Sequence, residues 1–410
     1  ADLSRIIAEE KQLTVDEKGF DEEMEKQKKR SKKDSAAKVY DWVTLEEKPE
    51  IFVGYDQLAT ETFITRYRKI ENKDGEFFQI VLSKSPFYPE GGGQIGDKGI
   101  LIPSYAEGFD ISNPTVLDIT NCEEIIEVLE TKKENNLIIS LIKELPKDPG
   151  AVFYAKVNER ERKNSQANHS GTHLLHEALR EVLGTHVEQK GSFVGPDYLR
   201  FDFSHFSKIN EEDLKLVEEK VNSKIKENIA LQEYREIPMT EAIEKGAMAL
   251  FGEKYGDKVR MIQFGTSKEL CGGTHVRSTG EIGFFKINSE SSTASGIRRI
   301  EAISGDKSAE YFRNLEVQFK EISQLLKSKD LAKSVEKLLE ENTALKSEVD
   351  HLKKEKAKSE INDWKNNFKE SGDKQLLVQK TSLDAASVKD LVFQLKKEIE
   401  NAVIVIISDA

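Results

Sequence analysis

Two pairs of potential metal ligands constrain this chain more than any other feature. His169 and His173 sit in NHSGTHLLH, Cys271 and His275 in ELCGGTHVR, each pair at a spacing of i, i+4. The pairs lie about a hundred residues apart, so only a folded domain can bring them to one centre. Imidazole nitrogen and thiolate sulfur are donors that zinc takes, and four of them complete a tetrahedron. On a helix, residues four apart are separated by about 40° around the axis and one turn along it, so His169 and His173 can share an ion. His176 falls on the same face and makes a fifth candidate for four positions; it reads as a group that orients a ligand or lines the pocket. Two glycines between Cys271 and His275 mark a tight turn or a close approach of the backbone. The plainer reading of that half is a glycine-rich hairpin around a buried thiol. In a chain with only seven His and two Cys, the two pairs together predict Zn2+ held by His169, His173, Cys271 and His275.

Two hydrolase classes do not fit this pattern. A metalloprotease helix carries a general-base Glu beside its first His, where this chain has Ser170. Base deaminases need His-x-Glu with a Cys-x-x-Cys pair, and the sequence has neither.

At 410 residues the chain exceeds one ordinary core, so several domains are expected. No apolar run approaches the roughly 20 residues that span a bilayer, so no membrane partner is expected. The start, ADLSRIIAEEKQLT, lacks a signal peptide's apolar middle and an initiator Met, as expected of a piece of a longer protein. Cys122 and Cys271 alone make no disulfide framework, which fits a reducing, cytoplasmic setting. The net charge of -12 argues against a uniform nucleic-acid-binding coat, yet leaves room for a local basic groove.

The expected architecture is α+β and multidomain. Residues 1–38 read as a helical tail ending in the polar run KQKKRSKKDSAAK. Residues 39–157 read as a small β-rich, barrel-like domain with strands at 77–82, 99–102, 136–142 and 151–157. The stretch PFYPEGGGQIGDKG interrupts it and suits neither helix nor strand. Residues 158–306 read as an α+β domain that contains both ligand pairs. It opens on a helix over 160–183 stopped by Gly184, with a second amphipathic helix near 211–228. Further strands are expected in VRMIQF, GEIGFFKINSE and IRRIEAIS. Over 307–368, apolar positions recur every three or four residues. They run from Phe312 to Leu326 and again from Leu331 to Leu352, with a register break at KSKD. That predicts an antiparallel hairpin or bent coiled coil, with Asn342 on the seam fixing register. Residues 369–410 read strand, helix, strand, the start of an α/β domain whose faces need further elements to bury them.

The motifs of the third region, NHSGTHLLHEALREVLGTHVEQKGSFVGPDYLRFDFSH, ELCGGTHV and GIRRIEAISG, resemble the editing domain of alanyl-tRNA synthetases. PFYPEGGGQIGDKG is similar to the glycine-rich motif of the β domain that precedes it in that family, and the order of parts matches nearly the whole chain. The free-standing alanyl-tRNA editing proteins and the editing domain of threonyl-tRNA synthetase share the two metal motifs, but not the heptad helices. The family's aminoacylation domain and ATP-binding motifs are absent here.

The resemblance implies a deacylase that hydrolyses the ester of tRNA(Ala) mischarged with serine or glycine, in the cytoplasm. It also implies dimerisation through a further C-terminal part. His169, His173, Cys271 and His275 match the family's zinc ligands; Thr172 and Gln189 match positions that hold the substrate. Thr172 reads equally as a helix hydroxyl bonded to its own backbone, and Gln189 as a surface amide in a turn. Glu90, Gly92, Gly93 and Gln94 would bring the barrel loop against the tRNA end, or simply form a hairpin turn. Arg200 and Arg298 would meet terminal phosphates, being suited to bidentate contact, or make ordinary strand salt bridges. The rival readings are a zinc-stabilised tRNA-binding module without catalysis, and a coiled-coil scaffold.

Overall fold

A computed structural model describes residues 38–106, 124–248 and 256–409, together with Asp16 and Gly19. The helix expected over 1–38 falls almost wholly outside them, as does Cys122. By their internal contacts the residues group into two compact units, 1–312 and 313–410.

Six strands close a barrel in the first unit. They are β1 (Ala59–Asn72), β2 (Gly75–Leu82), β3 (Gly99–Pro103), β4 (Ile126–Glu134), β5 (Leu137–Ile142) and β6 (Val152–Val157). All neighbours are antiparallel and run in the cycle β1-β6-β3-β4-β5-β2, with β2 pairing back onto β1. Closure removes the free edges a small sheet would otherwise expose. Alternate residues such as Ile64, Ile80, Leu101, Val128, Ile142 and Phe153 fill the interior. The expected strands omit β1, the longest. Its charged Arg66 and Arg68 and a bulge between Ile64 and Arg66 blur the two-residue period.

Helix α1 (Glu159–Leu183) follows the barrel directly. The Asn158 side chain caps its first turn by accepting from the Glu161 N–H, and Gly184, at φ 115°, ends it. Leu174, Leu175 and Leu179 pack on an antiparallel sheet of order β7-β8-β13-β12. Its strands are β7 (Gln189–Val194), β8 (Leu199–Ser204), β12 (Lys286–Ala294) and β13 (Ile297–Ile303). Phe201, Phe203 and Ile300 come from that sheet, and Val217, Val221 and Ile225 from helix α2 (Glu211–Lys226), to complete one core. A second sheet, β9 (Gln232–Pro238), β10 (Lys258–Phe264) and β11 (Ser267–Leu270), is joined by the short helix α3 (Met239–Glu244). The stretch GEIGFF is not strand: a 3-10 turn over Thr279–Ile282 buries Ile282 and Phe285, and β12 starts only at Lys286.

The two heptad runs form helices α4 (Gly305–Leu326) and α5 (Leu331–Asn366). Between them Lys327 takes a left-handed φ of 48°, and Asp330 caps α5 by accepting from the Lys333 N–H. The expected seam is left exposed; Phe319, Leu345 and Leu352 each show more than half of their surface. In the second unit, Ile361 and Trp364 of α5 pack with β15 (Lys374–Thr381), helix α6 (Ala385–Glu398) and β16 (Ala402–Ser408). The strands β15 and β16 pair in parallel, and the short β14 (Lys369–Ser371) extends the sheet antiparallel. One face of this sheet, with Val378, Val403, Val405 and Ile407, is exposed.

Candidate metal centre and the cleft beside it

Helix α1 runs through the core, so the face carrying His169, His173 and His176 is buried rather than solvated. The segment leaving β11, Cys271 to His275, passes across that face. One donor atom from each of His169, His173, Cys271 and His275 lies within 4.8 Å of the others. Cys271 Sγ stands 3.4 Å from His169 Nε2 and 3.3 Å from His275 Nε2. Gly273 explains the glycine pair: a Cβ there would overlap the His169 ring. Gly272 faces open space.

Each histidine of the set has an outer partner that fixes which nitrogen faces inward. His169 Nδ1 is 2.8 Å from Gln94 Oε1, which leaves Nε2 toward the thiol. His275 Nδ1 is 3.1 Å from Ser170 Oγ, in the position a metalloprotease would give to Glu. His173 Nε2 is 3.5 Å from Glu269 Oε2, while its buried Nδ1 has no hydrogen-bond partner. An orphaned, buried imidazole nitrogen is costly unless something is bound there, and a metal ion fits. His176 stays outside the set and meets Glu269 Oε1 through Nδ1 at 2.9 Å.

Burial pushes His169 and His275 well below the usual imidazole range, and the neighbouring imidazoles push the same way. Burial also lowers His173, against the pull of Glu269. Burial alone would raise the Glu269 carboxyl, but His173 and His176 together hold it below its ordinary value. Neutral imidazoles beside a thiol are the form that accepts a divalent soft-to-borderline cation.

Arg260 braces the cysteine segment. Its guanidinium donates to the carbonyls of Cys271 at 2.9 Å and Gly273 at 2.7 Å, and pairs with Glu233. The Tyr55 hydroxyl, from the barrel, donates to the Gly272 carbonyl at 2.6 Å, with Arg260 stacked 4.0 Å from its ring centre. A cleft of about 780 Å³ opens here, lined by Tyr55, Lys163, Arg235, Arg260, Thr274 and His275 among others. Four carboxylates line it: Asp56 and Glu233 pair with Arg235, Glu159 pairs with Lys163, and Glu281 accepts from the Arg277 backbone N–H.

The barrel is locked to this region by its glycine-rich loop. Gly92 and Gly93 have φ of 56° and 82°, and a Cβ on Gly93 would collide with Ser192. The loop runs alongside the end of β7: the Val194 N–H donates to Gly93 O at 2.7 Å, and the Ile95 N–H to Val194 O at 3.0 Å. A few residues on, Asp97 pairs with Arg162 of α1, both buried, and Arg162 also donates to the carbonyls of Gly54 and Pro86.

The remaining sequence candidates are placed as follows. Glu90 and Gly92 are exposed, whereas Gln94 is fully buried against the metal centre. Thr172 is buried and its hydroxyl donates to the Asn168 carbonyl at 2.8 Å. Gln189 opens β7, partly exposed, with its amide 3.4 Å from Ser192 Oγ. Arg200 leans over the Phe193 ring and has a buried Nε without a hydrogen-bond partner. Arg298 is paired with Glu290 on the adjacent strand. Sequence reasoning used Ser170 only to exclude a metalloprotease and passed over Glu269 and Asp97, although all three lie inside quoted motifs; Arg162 and Tyr55 carried no local signal.

The sequence profile of the tRNA synthetases class II (A) family matches residues 1–142. That of the threonyl and alanyl tRNA synthetase second additional domain matches residues 259–301, which include Cys271 and His275. Barrel, metal-ligand cluster and profiles together define a portion of a class II aminoacyl-tRNA synthetase with an editing-associated domain. The relatives narrow the class. The chain is 50% identical to an alanine--tRNA ligase of Christiangramia forsetii, over 98% of this chain and 44% of the relative. It is 47% identical to that of Flavobacterium psychrophilum, over 99% and 45%, and 44% identical to that of Porphyromonas gingivalis, over 99% and 44%. The chain belongs to the alanyl-tRNA synthetase family and spans less than half the length of these relatives.

Proposed function

We propose that this part of the synthetase hydrolyses the ester that joins serine or glycine to the terminal ribose of tRNA(Ala), in the cytoplasm. The observation that carries the reading is the convergence of His169, His173, Cys271 and His275 on one point, at the edge of a cleft of about 780 Å³. The need for such a site is physical. An apolar alanine pocket rejects an added hydroxyl weakly, and a missing methyl is worth only roughly 1–3 kcal/mol, so binding alone cannot give translational accuracy.

Zn2+ held by those four residues would organise the pocket and supply positive charge near the scissile ester. The protein's own groups then divide the work. Arg260 and Tyr55 fix the carbonyls of the Cys271–Gly273 segment, so the wall beside the ester is rigid. Of the carboxylates lining the cleft, Asp56 and Glu233 are committed to arginines, Glu159 to Lys163 and Glu281 to the Arg277 backbone N–H, which favours a positioned water, helped by the vicinal ribose hydroxyl, over a carboxylate base. Water adds to the acyl carbonyl, the ester C–O bond breaks, and the ribose oxygen leaves with a proton. We assign to Gln189 and Thr172 the recognition of the serine side chain, the Thr172 oxygen remaining able to accept a hydrogen bond. Arg200, whose Nε makes no hydrogen bond and stands 3.9 Å from Asp202 Oδ2, is the better candidate for a terminal phosphate; the closer pairing of Arg298 with Glu290 makes it the weaker one. Glu90 and Gly92 would touch the RNA at the exposed rim of the loop. Dimerisation through a C-terminal part beyond this chain stands as a further proposal.

A second reading, a metal-stabilised tRNA-binding module, draws support from the closed four-donor set, which leaves no position for water. Deacylation of Ser-tRNA(Ala), Gly-tRNA(Ala) and Ala-tRNA(Ala) separates the two. Release of serine or glycine, sparing alanine and lost in Cys271→Ala, is the expected result; tRNA binding without release would sink the deacylase.

A further inference from the structure

Gln94 lies on the barrel's glycine-rich loop, yet it is fully buried and its side chain's hydrogen-bonding contacts are with the other domain. Its Oε1 accepts from the Thr274 N–H at 2.9 Å and stands 2.8 Å from His169 Nδ1. Its Nε2 donates to Thr274 Oγ1 at 2.9 Å. One side chain thus bridges the two halves of the ligand set, α1 and the cysteine segment. The backbone that carries it is tightly placed: Gly93 has no room for a Cβ against Ser192, and Gly273 none against His169. Both glycines allow the loop and the cysteine segment to close on His169 from either side.

We propose that Gln94 is a positioning residue of the metal centre: acting through His169, it sets how tightly the ion is held, so docking of the barrel completes the site. The inference rests on the zinc reading above. An acceptor at Nδ1 holds the imidazole in the tautomer whose Nε2 faces the centre and keeps the ring from turning; loss of such outer partners weakens metal binding by about 10–100-fold. Without Gln94, the N–H of Thr274 and Nδ1–H of His169 would both be buried without acceptors. A carboxylate at this position still accepts from both, so Gln94→Glu preserves the function, whereas Gln94→Met keeps the length and removes it.

The test is Zn2+ affinity of the purified chain by competition with a chromophoric chelator, together with the visible spectrum of the Co2+-substituted protein. Far-UV circular dichroism checks that each variant is folded. Gln94→Met is expected to bind Zn2+ about 10–100-fold more weakly and to shift the Co2+ bands, with Gln94→Glu restoring affinity. Unchanged affinity and spectrum in folded Gln94→Met, or failure of Glu to restore what Met loses, overturns the proposal while leaving the zinc site standing. Wild-type protein that takes up no stoichiometric metal overturns the site itself, and this inference with it.

Discussion

Gly272 and Gly273 are neighbours in the sequence, but only one is under steric demand. A methyl group on Gly273 would enter the His169 ring, whereas one on Gly272 meets nothing within 4 Å. Gly273→Ala should therefore displace the ring or the cysteine segment and lower Zn2+ affinity by at least about tenfold, the scale of a misplaced ligand. Gly272→Ala should bind as the wild type does. Equal affinities in chelator competition would mean that the close approach has no bearing on the centre. The ligand pairs themselves were legible because His and Cys are scarce and their spacings distinctive. The outer partners were not: Ser170 and Glu269 look like ordinary polar residues until folding turns them toward an imidazole. Gln94 was legible as a loop residue of consequence, but its direction, inward to His169 rather than outward to RNA, depends on contacts 75 residues away in the chain.

At the scale of elements, helix α6 offers a titration. Asp384 accepts from the backbone N–H of Ser387 and pairs with Lys353, which holds its carboxyl down from 3.8 to about 2. A group depressed in the folded state contributes fully above its unfolded value and loses that contribution as pH falls through its folded value. The second unit should lose stability between about pH 4 and pH 2, and Asp384→Asn should flatten that slope. Thermal unfolding followed at several pH values measures it; an unchanged slope would assign the acid sensitivity elsewhere. Helices were read well from sequence because their apolar period and caps are local, as with Asn158 and Gly184 around α1. The strands fared less well. In β1, the half-buried Arg66 and Arg68 break the alternation, because a barrel wall against a neighbouring element is not simply inside or outside. In GEIGFF, Ile282 within a 3-10 turn and Phe285 just after it are buried while Phe284 is exposed, so no strand period applies.

Over the whole molecule, all four candidate ligands belong to the unit of residues 1–312, while the second unit keeps a core of its own around Trp364 and Leu395. An ion present at a hundred times its dissociation constant adds about 2.7 kcal/mol to the unit that binds it. Chelation should therefore lower the melting transition of the first unit and leave that of the second in place. A shift of both, or of neither, in calorimetry would count against this division. No helix among the described residues is long and apolar enough to cross a membrane. The barrel was expected from short strands and turns, but its closure, with β2 returning to β1, follows from pairings between distant segments.

The ion pair of Arg162 with Asp97 has a mechanical consequence. A guanidinium sealed at the joint between barrel and helix cannot be pulled into the open without stranding a carboxylate in a place that water does not reach. The joint therefore resists hinge motion, and a pull on one wall would move both walls together, keeping the gap between them constant.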